Sequence, residues 1–468
     1  MRTLEIALTI ALFAAAISLM TPSRSSSLGF GSLILLAMIL LICQLLFEGY
    51  RWQIFPCYFV LIALFIAFRQ SISPNASFIF GSVAICCLGG GVLLSTLLPV
   101  FGLPTPTGPY KVGTEIRHLT DYNRSEPASA NPDDHRELMI QIWYPTTATG
   151  RLAPYREKAL TGLWNARYTL AKTNSILNAP PLIATHPFPV LFYEPSWWGQ
   201  RGEATFLSEE LASNGYIVVG IDHPYSSSAV SLPGGRIIKT KLSVHETYKT
   251  QDSFETFIRT AGDEIRLRAA DVEFVFSALE GINAADPERR FTGLLDLSRV
   301  GIFGYSLGGG VAAQVCWLDH RFKVGIDLDG MLGAQSEQEG TSAPFLFMLE
   351  DITETNFADL GSLKADERRE MAFATVQQAE MRRSLAKYGG YSVAIAGVTH
   401  GSFSDNLFYS PFSLVNGTGS ADTQRVATII RQYALAFFNS YLTGSPEPLL
   451  TDKSPALSGL KVERWVRN

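Results

Sequence analysis

One short stretch of the chain carries the residue types that serve nucleophilic catalysis. Residues 300–303 are mostly apolar and predict a buried strand, residues 304–308 read Gly-Tyr-Ser-Leu-Gly, and the apolar residues 311–317 predict a helix. A strand, a tight Gly-x-Ser-x-Gly turn and a helix form the context of a nucleophile elbow, in which the serine hydroxyl stands clear of the sheet. Glycines suit such a turn because strand and helix fold back closely on each other. The pattern predicts that Ser306 is a nucleophile.

A serine hydroxyl needs a histidine as base and an acid to orient that histidine. In the fold that uses this elbow, the chain order is serine, acid, histidine. Two histidines follow the serine, His320 and His400. The helix after the elbow would carry His320 about 20 Å from the hydroxyl. His400 follows the last predicted strand, on a loop at the carboxyl edge of the sheet, and is therefore the predicted base.

Four carboxylates compete for the role of the acid. Asp327 and Asp329 lie at the end of the strand predicted after the elbow, and Glu350 and Asp351 lie at the end of the next one. Only Asp329 lies beyond the carboxyl end of its strand, where side chains reach a site at that edge. We predict Asp329 as the acid and keep Asp351 or Glu350, and then Asp327, as alternatives.

An ester hydrolase also needs two donors for the oxyanion of the tetrahedral intermediate. The backbone N–H of Leu307, directly after the nucleophile, is one predicted donor. The second is expected from the loop after a strand predicted at 181–185. This loop reads Thr-His-Pro-Phe-Pro over residues 185–189. Because proline has no N–H, Phe188 is the predicted donor. His186 in this loop is expected to be structural.

Aromatic side chains close to this loop predict an acyl-binding wall or lid, with ordinary packing or an interfacial anchor as alternatives. They are Phe192, Tyr193, Trp197 and Trp198. The segment 225–260, rich in Ser and Lys, occupies the position where this fold often has a cap, and its role stays open.

The elements that must position these residues follow a region of different composition. Residues 1–104 contain only six charged side chains, and four apolar runs predict membrane spans near 4–21, 28–47, 53–69 and 78–101. A soluble surface needs more polar residues than this. The first run could instead be a cleaved signal peptide. The remainder is mildly acidic without a basic stripe, which argues against nucleic-acid binding.

The orientation of this predicted membrane region depends on few charges. With four spans, one side carries Arg2, Arg51, Lys111 and Arg117, and the other carries Arg24 and Arg69. The positive-inside rule then favours a cytoplasmic catalytic domain, and loss of one span would reverse it.

After a proline-rich linker at 104–109, strand and helix signals alternate. This alternation predicts an α/β domain over 110–468 with a mostly parallel sheet flanked by helices, the α/β-hydrolase fold. The predicted strands are 138–144, 181–185, 216–222, 322–328, 344–349 and 391–398, besides the elbow strand, and the predicted helices include 265–279 and 426–441. Only Cys316 lies in this part, so we predict neither a disulfide framework nor a cysteine-based metal site.

Over residues 108–442 the sequence resembles the platelet-activating-factor acetylhydrolase family of the plasma/type II kind, including its bacterial members. The resemblance is carried by residues 108–113, 136–145, 220–223, 325–329 and 400–405, together with the Thr185-His186 loop and the elbow. It implies Asp329 as the acid and calcium-independent cleavage of short or oxidised sn-2 acyl esters of phospholipids. A serine mechanism of this kind is expected to need no metal or organic cofactor. The elbow is also similar to that of cutinase-type polyester hydrolases, and the four apolar runs have no counterpart in the plasma enzyme.

We therefore expect a multi-pass protein of a bacterial inner membrane that hydrolyses short acyl esters through an acyl-enzyme, with lipid esters as substrates. One alternative is a carboxylesterase or cutinase-like hydrolase of non-lipid esters. The other is a non-catalytic membrane protein whose hydrolase-like domain only binds a ligand. The sequence predicts no oligomeric state.

Overall fold

The computed structural model describes residues 1–21, 27–70, 73–243, 249–351, 364–451 and 459–466. The chain forms two compact units. The first comprises Met1–Gly102, Pro154–Lys172 and Phe408–Asn416, and the second comprises Leu103–Ala153, Thr173–Leu407 and Gly417–Asn468. The predicted single boundary at the linker therefore misses two later segments, which pack with the N-terminal helices.

Four apolar helices make up most of the first unit. They are α1 (Thr3–Met20), α2 (Ser27–Cys43, continued by a π-helical turn, Gln44–Glu48), α3 (Phe55–Arg69) and α4 (Pro74–Leu97). In the described part of the chain, these four are long and apolar enough to cross a membrane. The start of α4 is fixed by Ser73, whose side chain accepts a hydrogen bond from the Ala76 N–H, and by Pro74 in the first turn.

These helices pack through one apolar core and one buried ion pair. The core contains Leu12, Ala16 and Leu64, all nearly inaccessible. At one end of the bundle, the Arg51 guanidinium donates two hydrogen bonds to the Glu5 carboxylate, at 2.8 and 2.7 Å. Pairing and hydrogen bonding are what allow two charges to be buried together.

The two later segments of the first unit pack through aromatic rings. The first segment contains the short helices α5 (Lys158–Thr161) and α6 (Ala166–Leu170), and the second contains a helical turn, Ser413–Asn416. Phe101 lies 5.0 Å from Tyr155, 5.7 Å from Tyr168 and 4.9 Å from Tyr409 between ring centroids. Nothing local in the sequence joins these rings, because they come from three distant parts of the chain.

An eleven-stranded sheet organises the second unit, and a two-stranded hairpin accompanies it. The strands are β1 (Lys111–Ser125), β2 (His135–Thr146), β3 (Leu152–Pro154), β4 (Lys172–Leu177), β5 (Phe188–Glu194), β6 (Ile217–Asp222), β7 (Ala229–Leu232), β8 (Arg236–Lys239), β9 (Leu295–Tyr305), β10 (Phe322–Leu328), β11 (Phe345–Glu350), β12 (Gly390–Ile395) and β13 (Leu460–Trp465). The helices are α7 (Thr205–Ser213), α8 (Gln251–Ala285), α9 (Leu307–Leu318), α10 (Ala334–Glu339), α11 (Ala365–Tyr388) and α12 (Thr423–Phe438).

The order of the strands creates a single functional edge. It runs β13-β12-β11-β10-β9-β5-β6-β2-β1-β4-β3, and the strands from β6 through β5 and β9 to β12 are parallel. The carboxyl ends of parallel strands meet at one edge, so the residues after β9, β10 and β12 are brought together there. The predicted α/β-hydrolase arrangement is confirmed.

One predicted strand lies elsewhere. Residues 181–185 are irregular, and the strand is β5, Phe188–Glu194, which is buried along its whole length. Pro189 is tolerated because it lies near the start of the strand, beside a register shift. The segment 225–260 contains the β7–β8 hairpin and the start of α8, and its residues 244–248 lie outside the described ones.

Candidate active site

Ser306 lies in the turn between β9 and α9 with a strained backbone. Its φ of 58° and ψ of −122° are unusual for a residue with a side chain. Glycines make the turn possible: a Cβ on Gly304 would lie 2.0 Å from the Gly308 carbonyl oxygen, and one on Gly308 would lie 2.1 Å from that of Glu194. The Ser306 N–H donates to the Leu328 carbonyl at 3.0 Å, which ties the elbow to β10.

A hydrogen-bonded chain joins the three residues predicted to act together. The His400 Nε2 lies 2.9 Å from the Ser306 Oγ, and the His400 Nδ1 lies 2.7 Å from the Asp329 Oδ2. A proton on Nδ1 that is donated to Asp329 leaves Nε2 free to accept the serine proton. Asp329 is held in turn, because the Glu350 N–H donates to its Oδ1 at 2.9 Å.

Electrostatics favour a charged imidazole at this position. Burial acts to lower the pKa of His400, but the hydrogen bond and charge of Asp329, helped by Glu350 and Glu203, outweigh burial and raise that pKa above its ordinary value. A raised pKa means that the protein stabilises the imidazolium that forms when the serine is deprotonated.

The alternative acids occupy other positions. Asp327 is fully buried, accepts the Gly330 N–H at 2.7 Å, and has a pKa raised well above its usual range by burial and by the charge of Asp329. Glu350 reaches Asp329 through its backbone, and the Asp351 N–H donates to the Ile395 carbonyl. Among the described residues, Asp329 is the carboxylate that contacts the His400 ring.

The predicted oxyanion donors are placed differently. Leu307 begins α9 directly after the nucleophile. Phe188 lies at the start of β5, paired with Leu295, and its N–H donates to the Leu294 carbonyl at 2.9 Å. Because β5 and β9 are parallel, Phe188 lies at the edge of the sheet opposite Ser306. The prediction of Phe188 as an oxyanion donor is therefore wrong: its N–H is not available to a substrate, because the strand begins where the sequence predicted a loop.

The loop that reaches the elbow instead follows the carboxyl end of β5. It begins at Pro195, which has no N–H, and continues with Ser196, whose N–H donates to the Glu203 Oε2 at 3.0 Å. Trp197 comes next and lines a cleft together with Ser306 and Leu307.

This cleft has a volume of about 470 Å³. Its apolar wall comes from the loop after β5 and from α8 and α11, and two further carboxylates face it. Besides Ser306, Leu307, Asp329 and His400, it is lined by Trp197, Trp198, Phe257, Gly330, Met331, Glu350, Glu370 and Phe373.

Of the four predicted wall residues, the structure brings two to the cleft. Trp197 and Trp198 line it. Phe192 and Tyr193 belong to the buried β5 instead: the Phe192 ring packs 5.2 Å from Phe322, and the Tyr193 ring packs 5.0 Å from Phe303. Both are core residues because a strand in the middle of a sheet covered by helices is buried on both faces.

Sequence reasoning missed several residues around the site. Phe257, Glu370 and Phe373 come from long helices with no distinguishing motif. Glu203 and Arg268 contact the loop after β5, and a correct position for that strand would have pointed to Glu203, which lies seven residues from its hydrogen-bond partner Ser196.

Comparisons with known proteins agree with the fold. Residues 99–447 match the family model of platelet-activating factor acetylhydrolase, isoform II. A probable 1-alkyl-2-acetylglycerophosphocholine esterase of Arthroderma benhamiae is 25% identical over 55% of this chain and 66% of that protein, so the match spans just under two thirds of this relative. The platelet-activating factor acetylhydrolase of Cavia porcellus is 24% identical over 74% of this chain and 80% of its own. A ferulic acid esterase from Streptomyces cinnamoneus superposes with a TM-score of 0.58 and 27% identity, covering 78% of this chain and 99% of its own.

The parallel sheet, its helical layers and these likenesses define a carboxylic ester hydrolase with an esterase-like α/β fold. Because the family model covers most of the chain, the protein belongs to the platelet-activating factor acetylhydrolase, isoform II, family.

Proposed function

We propose that the protein is a membrane-embedded serine esterase that cleaves short acyl esters of lipids through an acyl-enzyme. The observation that carries this proposal is the Ser306–His400–Asp329 chain, with hydrogen-bond distances of 2.9 and 2.7 Å, in the lining of an aromatic cleft. This arrangement supplies a nucleophile, a base and an orienting acid in one place.

The reaction follows from the positions of these groups. His400 Nε2 takes the Ser306 proton as Oγ attacks the ester carbonyl, and Asp329 holds the resulting imidazolium. His400 then gives this proton to the leaving alcohol, which leaves the acyl group on Oγ. Water, deprotonated by the same histidine, releases the acid and restores the serine. The N–H groups of Leu307 and Trp197 are the proposed donors to the oxyanion in both steps.

Two features support a lipid ester as the substrate. The relatives named above are esterases of platelet-activating factor type, and the cleft wall is aromatic. In addition, the outward side chains of the N-terminal helices are apolar and exposed, including Phe47 at 80% and Phe59 at 67%. Such surfaces are stable in the hydrocarbon of a bilayer, which would keep the enzyme at the source of a lipid substrate.

Covalent labelling tests the serine mechanism. We expect a fluorophosphonate probe to label the full-length protein in membranes, and Ser306→Ala to abolish labelling because no other activated hydroxyl is proposed. The exposed Ser298, changed to Ala, is the control and should label like the wild type. Labelling that survives Ser306→Ala would refute the assignment, and no labelling of the wild type would favour a non-catalytic, ligand-binding domain.

A second candidate is an esterase of non-lipid esters, favoured by the likeness to the ferulic acid esterase and by the same aromatic wall. Comparing kcat/KM for a short-chain phospholipid with that for methyl ferulate and p-nitrophenyl butyrate separates the two candidates. A preference of at least about tenfold, or 1.4 kcal/mol, for the phospholipid supports the lipid enzyme.

A further inference from the structure

The loop after β5, which carries the proposed second oxyanion donor, is held by hydrogen bonds from two sides. On one side, the fully buried Arg268 of α8 donates from Nη1 to the Pro195 carbonyl at 2.9 Å and to the Ser196 carbonyl at 3.1 Å. On the other side, the Glu203 carboxylate accepts the Ser196 N–H at 3.0 Å and the Ser196 hydroxyl at 2.8 Å.

These contacts fix the orientation of two successive peptide groups. The Pro195 carbonyl and the Ser196 N–H belong to one planar unit, which Arg268 and Glu203 hold at its opposite ends. The Ser196 carbonyl and the Trp197 N–H belong to the next unit. Because a trans peptide directs its C=O and N–H in opposite directions, binding of the Ser196 carbonyl by Arg268 directs the Trp197 N–H away from Arg268.

The start of the loop is anchored by buried ionic groups. Glu194 ends β5, and its carboxylate lies 2.9 Å from the His223 Nε2, while the His223 Nδ1 lies 2.8 Å from Asp271. Arg136 donates to both oxygens of Asp271, at 3.1 and 2.6 Å. All four side chains are buried, so movement of Glu194 would leave charges without partners at a high cost.

Glu203 also connects this loop with the loop of the catalytic histidine. Its carbonyl accepts the Asp405 N–H at 2.8 Å, and the Asp405 carboxylate accepts the N–H groups of Thr205 and Phe206 at the start of α7. Asp405 lies five residues after His400. The two loops that flank the serine therefore share one hydrogen-bonded support.

We propose that Arg268 and Glu203 are positioning residues that hold the Trp197 N–H in its oxyanion-binding orientation; this inference rests on the proposed esterase function. Arg268 fixes the two carbonyls, and Glu203 fixes the intervening N–H. Neither side chain gives or takes the catalytic proton. Because the charge of Glu203 also raises the pKa of His400, kcat of Glu203→Gln is taken on the plateau of its pH profile. Their removal should therefore weaken binding of the tetrahedral state much more than binding of the substrate.

The test measures turnover per titrated serine, which separates positioning from folding. The full-length protein is titrated to completion with fluorophosphonate, and kcat and KM for p-nitrophenyl butyrate are measured for Arg268→Met, Arg268→Lys and Glu203→Gln. Loss of an oxyanion donor costs about 100- to 1000-fold, and a misplaced one should cost less, so we expect kcat per titrated serine to fall about 10- to 100-fold in Arg268→Met, with KM changed less than about threefold. Arg268→Lys and Glu203→Gln, which each keep part of the grip, should lie between this variant and the wild type.

A second readout tests the transition state itself. The inhibition constant of a trifluoromethyl ketone, which forms a tetrahedral adduct with the serine, should rise by the same factor by which kcat/KM falls across the three variants. Arg266→Met, on the exposed side of α8, removes only a surface ion pair with Asp263 and is the matched control. It should behave like the wild type.

The outcomes distinguish the inference from the function on which it rests. If the wild type is labelled but Arg268→Lys and Glu203→Gln both keep kcat per titrated serine within twofold, the inference is refuted and the esterase stands. This conclusion holds even if Arg268→Met yields no folded protein. A wild type that is not labelled refutes the function itself.

Discussion

His400 lies among carboxylates with different effects on its charge. Asp329 binds the ring directly, whereas Glu350 and Glu203 act on it through their negative charge alone. Burial, followed by the charge of Asp329, raises the pKa of Glu350 to about 7, so this group titrates in the range in which the histidine works. The acid limb of the pH profile of kcat/KM should therefore reflect the titration of both His400 and Glu350.

Replacement of Glu350 by Gln should move the acid limb of the kcat/KM profile to lower pH. His400 must be neutral to accept the serine proton, so activity rises as pH increases through its raised pKa. Gln removes one charge that raises this pKa. The limb is followed with p-nitrophenyl butyrate, and Glu337→Gln, outside the cleft, is the control. An unchanged limb, or one displaced to higher pH, would contradict the electrostatic account.

The same shift has a consequence for stability. The charged His400 ring contributes to the free energy of unfolding. This contribution is fully present below the pKa of about 6.5 of an unfolded histidine, and it is lost as pH rises through the higher pKa of His400 in the folded protein. In the pH range in which His400 is neutral and can act as the base, the protein therefore lacks this stabilising contribution.

At the scale of elements, the elbow depends on close approach of three backbone segments. β9 and α9 fold back on each other at Gly304 and Gly308, and Gly308 also faces the carbonyl of Glu194 at the end of β5. A side chain at Gly308 would separate the nucleophile from the loop that carries the second donor.

Gly308→Ala should lower both stability and labelling. The new Cβ would lie 2.1 Å from a backbone oxygen that cannot rotate away, and overpacking of this kind costs about 1–3 kcal/mol. Gly281→Ala is the matched control, since it lies in α8 with nothing within 4 Å of the added Cβ and should stabilise the protein by up to about 1 kcal/mol. Thermal unfolding in detergent measures the stability of each variant, and the rate of fluorophosphonate labelling measures the reactivity of its serine. Equal behaviour of the two variants would argue against the tight elbow.

Helices and strands were predictable where an apolar run coincides with a clear turn signal at its end. Of the buried strands that end in glycine or acidic turns, β10 has its predicted bounds, whereas β9 begins five residues before the predicted 300–303. Their order brings Ser306, Asp329 and His400 to one edge. β5 was misplaced because Pro187 and Pro189 resemble loop residues. The tertiary burial that overrides this local preference is not visible in the sequence, and the donor assigned to Phe188 was misplaced with the strand.

At the scale of the molecule, the two segments that join the N-terminal unit could not be predicted. Their rings meet Phe101 across gaps of more than fifty and three hundred residues, and no periodic pattern signals such contacts. The charges that set orientation are likewise modified by folding. Arg2 and Arg51 both pair with the single Glu5 carboxylate, at 2.6 and 2.7 Å, so part of the positive charge on that side is compensated within the bundle.

Topology is the prediction that follows from the whole N-terminal unit. Four spans with an N-terminus on the side of Arg2 return the chain to that side, so we expect residue 468 to be cytoplasmic. In a bacterial host, green fluorescent protein fused after this residue should fluoresce, and alkaline phosphatase fused there should be inactive. A matched pair of fusions after Thr21, which keeps only the first span, should show the opposite result, because the chain has then crossed the membrane once. Active phosphatase on the full-length chain would place the catalytic unit on the other side, and identical results for both pairs would contradict the three crossings expected after the first helix.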